Sequence, residues 1–192
     1  MPSLVLASTS VYRRALLERL GLPFVTRAPG IEEHRLPDEP PQAMVRRLAE
    51  AKALAVAGEF PGAVVIGSDQ CAVIDDRVLG KPGDFAGAVA QLRLASGREV
   101  VFWTALCVAG PGPDRKQGTL VPFRVVFREL SEARIGNYLE RERPFDCAGS
   151  FKSEGLGIAL FARMIGDDPT ALMGLPLIAL TGMLEQAGVT VV

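Results

Sequence analysis

The residue types best suited to chemistry stand where a core strand should stay apolar. Val64-Val-Ile is a run of β-branched residues that reads as a buried strand. Gly67, Ser68, Asp69 and Gln70 follow in a row, before Cys71-Ala-Val-Ile resumes the apolar pattern. A carboxylate on a buried strand is expensive unless it has a partner or a task. Asp75-Asp76-Arg77 is turn-rich, so Gly80-Lys81-Pro82 returns one hairpin later. Ser8, Arg13, Glu33 and Lys52 complete the set. Two acids with three cations suit a polyphosphate carried with a divalent metal, Mg²⁺ or Mn²⁺. Carboxylates hold a hard cation that keeps several waters. Arginine and lysine neutralise phosphate oxygens, and one carboxylate orients and deprotonates an attacking water. Each residue also has a structural reading: Asp69 as a turn cap, Ser8-Thr9-Ser10 as a helix cap with solvated arginines, Lys52 as a snorkelling surface side chain. Spacing leaves both readings open.

The elements that must position these groups alternate. Ser3–Ala7 reads as a first strand, followed by a helix with Leu16, Leu17 and Leu20 inward and Gly21 as its stop. The serine-rich turn between them presents helix N-terminal N–H groups, a setting that suits phosphate. Residues 22–28 form a short second strand. The charged, proline-rich segment 29–41 carries Glu32-Glu33. A helix over 41–58 has Pro41 in its first turn and an apolar stripe of Met44, Val45, Leu48, Ala51, Leu54 and Ala55, with Lys52 on it. After the opening strand come a helix near 84–95, a long strand over 99–109, a tight loop 110–114 and a returning strand over 119–128. Then follow a helix from Ser131 to about 142, the small-residue run Cys147–Gly155, a strand over 158–165, and a final helical region capped by Asp168, with Leu177, Ile178, Leu180, Met183 and Leu184 inward. This pattern predicts one α/β domain over 1–192, its mixed, mostly parallel sheet flanked by helices.

Composition narrows the function. The chain has 192 residues, 48% of them hydrophobic, and a formal net charge of −1, which argues against general coating of nucleic acid. Three isolated cysteines without a CxxC argue against a disulfide framework or zinc site. Neither a signal peptide nor a spanning segment is expected, so a cytoplasmic, non-membrane protein follows. The single histidine, His34, lies in a polar loop, and chemistry is expected from carboxylates, lysines and arginines. Neither a P-loop nor a GxGxxG fingerprint occurs.

Leu6-Ala-Ser-Thr-Ser-Val-Tyr-Arg-Arg14, Ile66-Gly-Ser-Asp69, Gly80-Lys-Pro82, Ala148-Gly149 and Gly174-Leu-Pro176 together resemble the Maf family of nucleotide pyrophosphatases, in order and spacing over nearly the whole chain. The resemblance implies metal-assisted hydrolysis of a nucleoside triphosphate to the monophosphate and pyrophosphate. It also implies two lobes around a cleft, similar to the inosine-triphosphate pyrophosphatase (Ham1) fold. Asp69 matches the proton acceptor, and Ser8, Arg13, Glu33, Lys52 and Lys81 match positions that handle substrate or metal. In these terms Asp69, Lys81 and Lys52 are catalytic, Glu33 and Asp69 meet the metal, and Ser8 and Arg13 meet phosphate. A homodimer is a further family expectation.

Three positions resemble those that separate branches of the family: Tyr12, Gln70 and Glu154. An aromatic residue, Gln and Glu there resemble the 7-methyl-GTP branch, whereas the pyrimidine branch shows Arg, Thr and Gln. The chain departs from the pattern with Val11 for a common Pro, Tyr12 where Trp is commoner, and Glu32-Glu33 for Asp-Glu. The physical reading agrees. N7-methylation makes guanine cationic, and the Tyr12 face attracts a cation. Glu154 can accept from the guanine N1–H and 2-amino group. Losing the methyl forfeits on the order of 1 kcal/mol. A pyrophosphatase for pyrimidine or other modified nucleotides, and a non-catalytic nucleotide-binding regulator of cell division, are the alternatives.

Overall fold

A computed structural model describes residues 3–111 and 115–192. Most of the expected loop at 110–114 therefore lies outside the described residues. The element order begins β1 (Leu4–Leu6), α1 (Val11–Glu18), β2 (Phe24–Thr26), α2 (Pro41–Ala57), β3 (Val64–Ile74), β4 (Arg77–Leu79) and α3 (Phe85–Ala95). It continues β5 (Glu99–Ala109), β6 (Lys116–Phe127), α4 (Glu132–Glu142), two 3-10 turns (Ala148–Ser150 and Leu156–Leu160), β7 (Phe161–Ile165), α5 (Pro169–Leu172) and α6 (Leu177–Gln186). The seven-stranded sheet has the order β2-β1-β3-β5-β6-β7, with β4 attached to β3. It is mixed, as expected: β1 pairs parallel with β2 and with β3, whereas β3–β4 and β6–β7 are antiparallel.

The chain divides into two compact units. The first contains 3–70, Thr104–Val121 and Asp168–Val192; the second contains Cys71–Trp103 and Pro122–Asp167.

In the first unit, β1 is sandwiched between two parallel neighbours, which explains why Leu4-Val-Leu6 is wholly apolar. Leu4, Leu6, Leu16, Leu17, Val64, Ile66, Leu106, Leu175, Leu180 and Leu184 belong to one buried cluster. Ser10 caps α1 by accepting the Arg13 N–H at 3.4 Å. After α1, Gly21 has φ +66°, as its expected role as a stop requires.

Helix α2 differs from expectation in its buried face. Ala49, Lys52, Ala53 and Val56 are buried along with Met44, Val45 and Leu48, whereas Leu54 is 44% exposed. The reason is Gly67 on β3. A Cβ there would lie 2.2 Å from the Ala49 carbonyl oxygen and 2.7 Å from the Ala53 nitrogen. Helix and strand approach closely on glycine and alanine, so the small residues turn inward and the larger Leu54 turns out. In α6, Ile178 was expected inward and is 66% exposed. The helix buries Leu177, Leu180 and Leu184, a spacing of three and four that leaves 178 on the other side.

The second unit packs around four phenylalanines. Phe151 meets Phe102, Phe127 and Phe161 edge-to-face, with centroids 5.3, 5.7 and 4.8 Å away. Gly149 (φ +77°) makes this possible, since a Cβ would press on Phe102 at 3.2 Å. The strand expected over 158–165 is shorter, beginning at Phe161. Before it the chain folds back, with the Cβ position of Gly157 only 2.3 Å from the Lys152 carbonyl oxygen. An extended strand cannot make that approach.

Candidate active site

Burial of Lys52 follows directly from the Gly67 contact. With α2 drawn against β3, Lys52 is 4% exposed and its ammonium has two partners. Its Nζ donates to Asp69 Oδ1 at 2.7 Å and to Glu33 Oε2 at 2.6 Å. Asp69 is itself buried, while the Glu33 side chain is half exposed. The snorkelling reading of Lys52 and the turn-cap reading of Asp69 are therefore both replaced by one buried ion pair with Glu33 at its exposed side.

Arg13 belongs to the same electrostatic neighbourhood. Burial lowers its pKa, and the charges of Asp69 and Glu33 act in the opposite direction. Its Nε donates to the Gly174 carbonyl at 2.9 Å. Ser68 Oγ lies 2.9 Å from that carbonyl and 2.8 Å from that of Ala105, with one proton to share between them. Gly174 thus serves as a backbone acceptor that orients Arg13. Burial raises the Asp69 pKa above the usual carboxylate range; Lys52 and Arg13 partly oppose this, and Glu33 adds to it.

Ser8 is buried and accepts the Ser10 N–H at 3.1 Å, so its oxygen shapes the turn before α1. Tyr12 is half-buried on the first turn of α1. The Gln70 amide nitrogen lies 2.7 Å from the Ala171 carbonyl, 3.1 Å from that of Leu172 and 2.9 Å from Thr104 Oγ1. Thr104 Oγ1, fully buried, also donates to Ala171 at 2.8 Å. Gln70 therefore braces the α5 turn.

Lys81 and Glu154 belong to the second unit, and both are exposed. Lys81 follows β4 on a segment whose Gly80 carbonyl accepts from Gln91 at 3.0 Å. Glu154 sits on a turn held against α4: the Lys152 N–H donates to the Tyr138 hydroxyl at 3.1 Å, and the Leu156 N–H to Glu142 at 2.8 Å. Glu154 takes the Ser153 hydroxyl at 3.2 Å, and among the described ion pairs none joins it to Lys152.

The carboxylates of Glu33 and Asp69 converge on one cation, the Lys52 ammonium, at the lengths of charge-assisted hydrogen bonds. Two acids that meet at one point fit a divalent ion that keeps much of its water. Among the described residues no group of three or more His, Cys, Asp and Glu converges. The three cysteines form no disulfide, and His34 lies exposed near Glu32. No helix among the described residues is long and apolar enough to cross a membrane.

Three contributors escaped the sequence reading as parts of the site: Gly67, Thr104 and the Gly174 carbonyl. Gly67 and Gly174 lie inside recognisable motifs, but their function is backbone proximity. Thr104 carried no signal within its apolar strand.

A family model described as Maf-like protein matches residues 3–187. The 7-methyl-GTP pyrophosphatase of Nitrosococcus oceani is 56% identical over 187 residues, covering 97% of this chain and 94% of that protein. Those of Colwellia psychrerythraea and Pseudomonas aeruginosa are 51% and 52% identical over 191 residues, covering 100% of this chain and 96% and 100% of theirs. The Staphylococcus aureus Ham1 protein, of solved structure, is 14% identical with TM-score 0.44, covering 66% of this chain and 71% of that one. With its motifs in order and its match running almost end to end, the chain belongs to the Maf family.

Proposed function

We propose that this protein is a nucleoside triphosphate pyrophosphatase that hydrolyses 7-methyl-GTP to 7-methyl-GMP and pyrophosphate, clearing a modified nucleotide. The observation that carries the reading is the buried Asp69–Lys52 pair, joined by the half-exposed Glu33 carboxylate, beside Arg13. Relatives named 7-methyl-GTP pyrophosphatase, about half identical over the full chain, support the choice of nucleotide.

In this reading the triphosphate lies over the Ser8–Arg13 turn, with Arg13 and Lys52 on its oxygens. Glu33 and Asp69 would hold a divalent ion, Mg²⁺ or Mn²⁺, which supplies charge neutralisation at the phosphates. Asp69 takes a proton from water as the water oxygen attacks the α-phosphorus. The bond from the α-phosphorus to the α,β-bridging oxygen breaks, and pyrophosphate leaves with the electron pair. Tyr12, Gln70 and Glu154 select the base. The absence of disulfides among the three cysteines suits a cytoplasmic location, and a homodimer completes the proposal.

The test is pyrophosphate release, with Mg²⁺ or Mn²⁺, from 7-methyl-GTP, GTP, dTTP, UTP, CTP and ITP. Preference for 7-methyl-GTP is expected, with Asp69→Asn slower by about 10²- to 10⁴-fold and nucleotide binding retained. Activity confined to pyrimidines overturns the base assignment. Silence across the panel overturns the enzyme reading.

A further inference from the structure

Glu33 lies in a segment without helix or strand, yet its carboxylate reaches the Lys52 ammonium. Something must hold that segment, because a half-exposed acid on a loose loop would lose the contact to water. The structure supplies a staple. Arg47 lies on α2, little more than a turn before Lys52. Its Nε donates to Glu39 Oε1 at 2.7 Å, and its terminal NH₂ group to Glu39 Oε2 at 2.8 Å. The same NH₂ group also donates to the His34 carbonyl at 3.0 Å, on the residue next to Glu33.

Glu39 gathers the rest of the loop. Its Oε2 accepts the Leu36 N–H at 3.1 Å, and its carbonyl accepts Arg35 Nε at 2.7 Å. The Glu39 N–H returns to the Leu36 carbonyl at 3.2 Å across a turn in which Asp38 has φ +54°. The Glu39 side chain is 9% exposed in spite of its charge. Hydrogen bonding from Arg47 is the main cause that depresses its pKa to about 2.

We infer that Arg47 and Glu39 are positioning residues for Glu33: their two-pronged ion pair fastens the 34–39 loop to the helix that carries Lys52. The inference rests on the proposed role of Glu33 and adds what keeps it in place. A guanidinium is suited to this work because its planar fork engages both carboxylate oxygens and a carbonyl together, which an ammonium cannot reproduce. Partners of this kind typically govern metal affinity or activity by about 10- to 100-fold.

The test compares wild type, Arg47→Met, Glu33→Gln and the double variant. Arg47→Met is expected to raise the Mn²⁺ concentration for half-maximal pyrophosphate release about tenfold or more, and to speed tryptic cleavage after Arg35, which reports the loop without reference to activity. In the Glu33→Gln background, Arg47→Met is expected to add little, because two residues that act as one unit are not additive. Arg47→Lys, which keeps the charge and loses the fork, is expected to fall between and serves in place of Arg47→Met should that variant not fold. An Arg47 variant with a wild-type Mn²⁺ requirement, while Glu33→Gln is impaired, overturns the inference and leaves the reading of Glu33 standing. Full additivity overturns it likewise. A silent Glu33→Gln overturns both.

Discussion

Lys52 Nζ lies 2.7 Å from Asp69 Oδ1, and neither group has much access to water. The pair is buried on both sides, and the Lys52 ammonium opposes the rise that burial imposes on the Asp69 pKa.

Removing one member of a buried pair typically costs about 3–5 kcal/mol. For Lys52→Met we expect a loss near the lower figure, because Asp69 can take up a proton. Burial already raises the Asp69 pKa above its ordinary 3.8, and Lys52 opposes that rise. A carboxylate raised in the folded state stabilises fully below its unfolded pKa and loses that contribution as pH climbs through the folded one. Without Lys52 the folded pKa moves higher still. The destabilisation by Lys52→Met is therefore expected to be larger at pH 8 than at pH 5, as urea unfolding at the two pH values can check. A difference independent of pH would contradict this account of Asp69.

Gly67→Ala places a methyl group against backbone, at 2.2 Å from the Ala49 oxygen and 2.7 Å from the Ala53 nitrogen. Backbone of a packed helix yields only by moving α2 away from β3. Overpacking of this kind costs about 1–3 kcal/mol. The same displacement pulls Lys52 from Asp69. Turnover per folded molecule should drop along with the melting temperature. Normal turnover in a destabilised Gly67→Ala protein would show that close approach is not what sets the pair.

The acid side of the stability profile should carry the mark of Glu39. Its pKa is depressed from 4.5 to about 2, chiefly through its hydrogen bond with Arg47. A depressed carboxylate contributes stability above its unfolded pKa and loses it as pH falls through the folded value. Wild type is expected to lose stability between about pH 4.5 and 2 more steeply than Glu39→Gln. Thermal melts of the two proteins over that range decide it, and parallel curves would remove Glu39 from the account.

Tyr138 holds the segment that carries Glu154. Its hydroxyl accepts the Lys152 N–H at 3.1 Å, and burial pushes its pKa well above the ordinary phenol value. Tyr138→Phe leaves that N–H without its partner, at a cost of about 1–3 kcal/mol. If Glu154 reads the guanine edge, the ratio of kcat/KM for 7-methyl-GTP over that for GTP should shrink as the segment loosens. An unchanged ratio in a protein that has lost stability would separate Glu154 from base selection.

Local pattern determined much of this protein by itself. Alternating apolar strands and amphipathic helices sufficed for α2 from Pro41, β5 from Glu99 to Ala109, the serine cap before α1 and the cap at Asp168, because these depend on residues near in sequence. Asp69 drew notice too, since a carboxylate on a buried strand is costly unless used, whereas a lysine among alanines left a surface reading of Lys52 open. Which face α2 buries was not legible: periodicity marks an apolar stripe, but a glycine on a distant strand decides how closely the helix approaches and so turns Ala49, Lys52 and Ala53 inward. Gln70 was expected at the base, and its amide is engaged with carbonyls a hundred residues away. The Arg47–Glu39 staple is likewise a matter of geometry, because two exposed-looking charges in sequence carry no sign of facing each other. Hydrogen bonds and close contacts act over a few ångströms, and only the folded chain determines which distant residues come within that range.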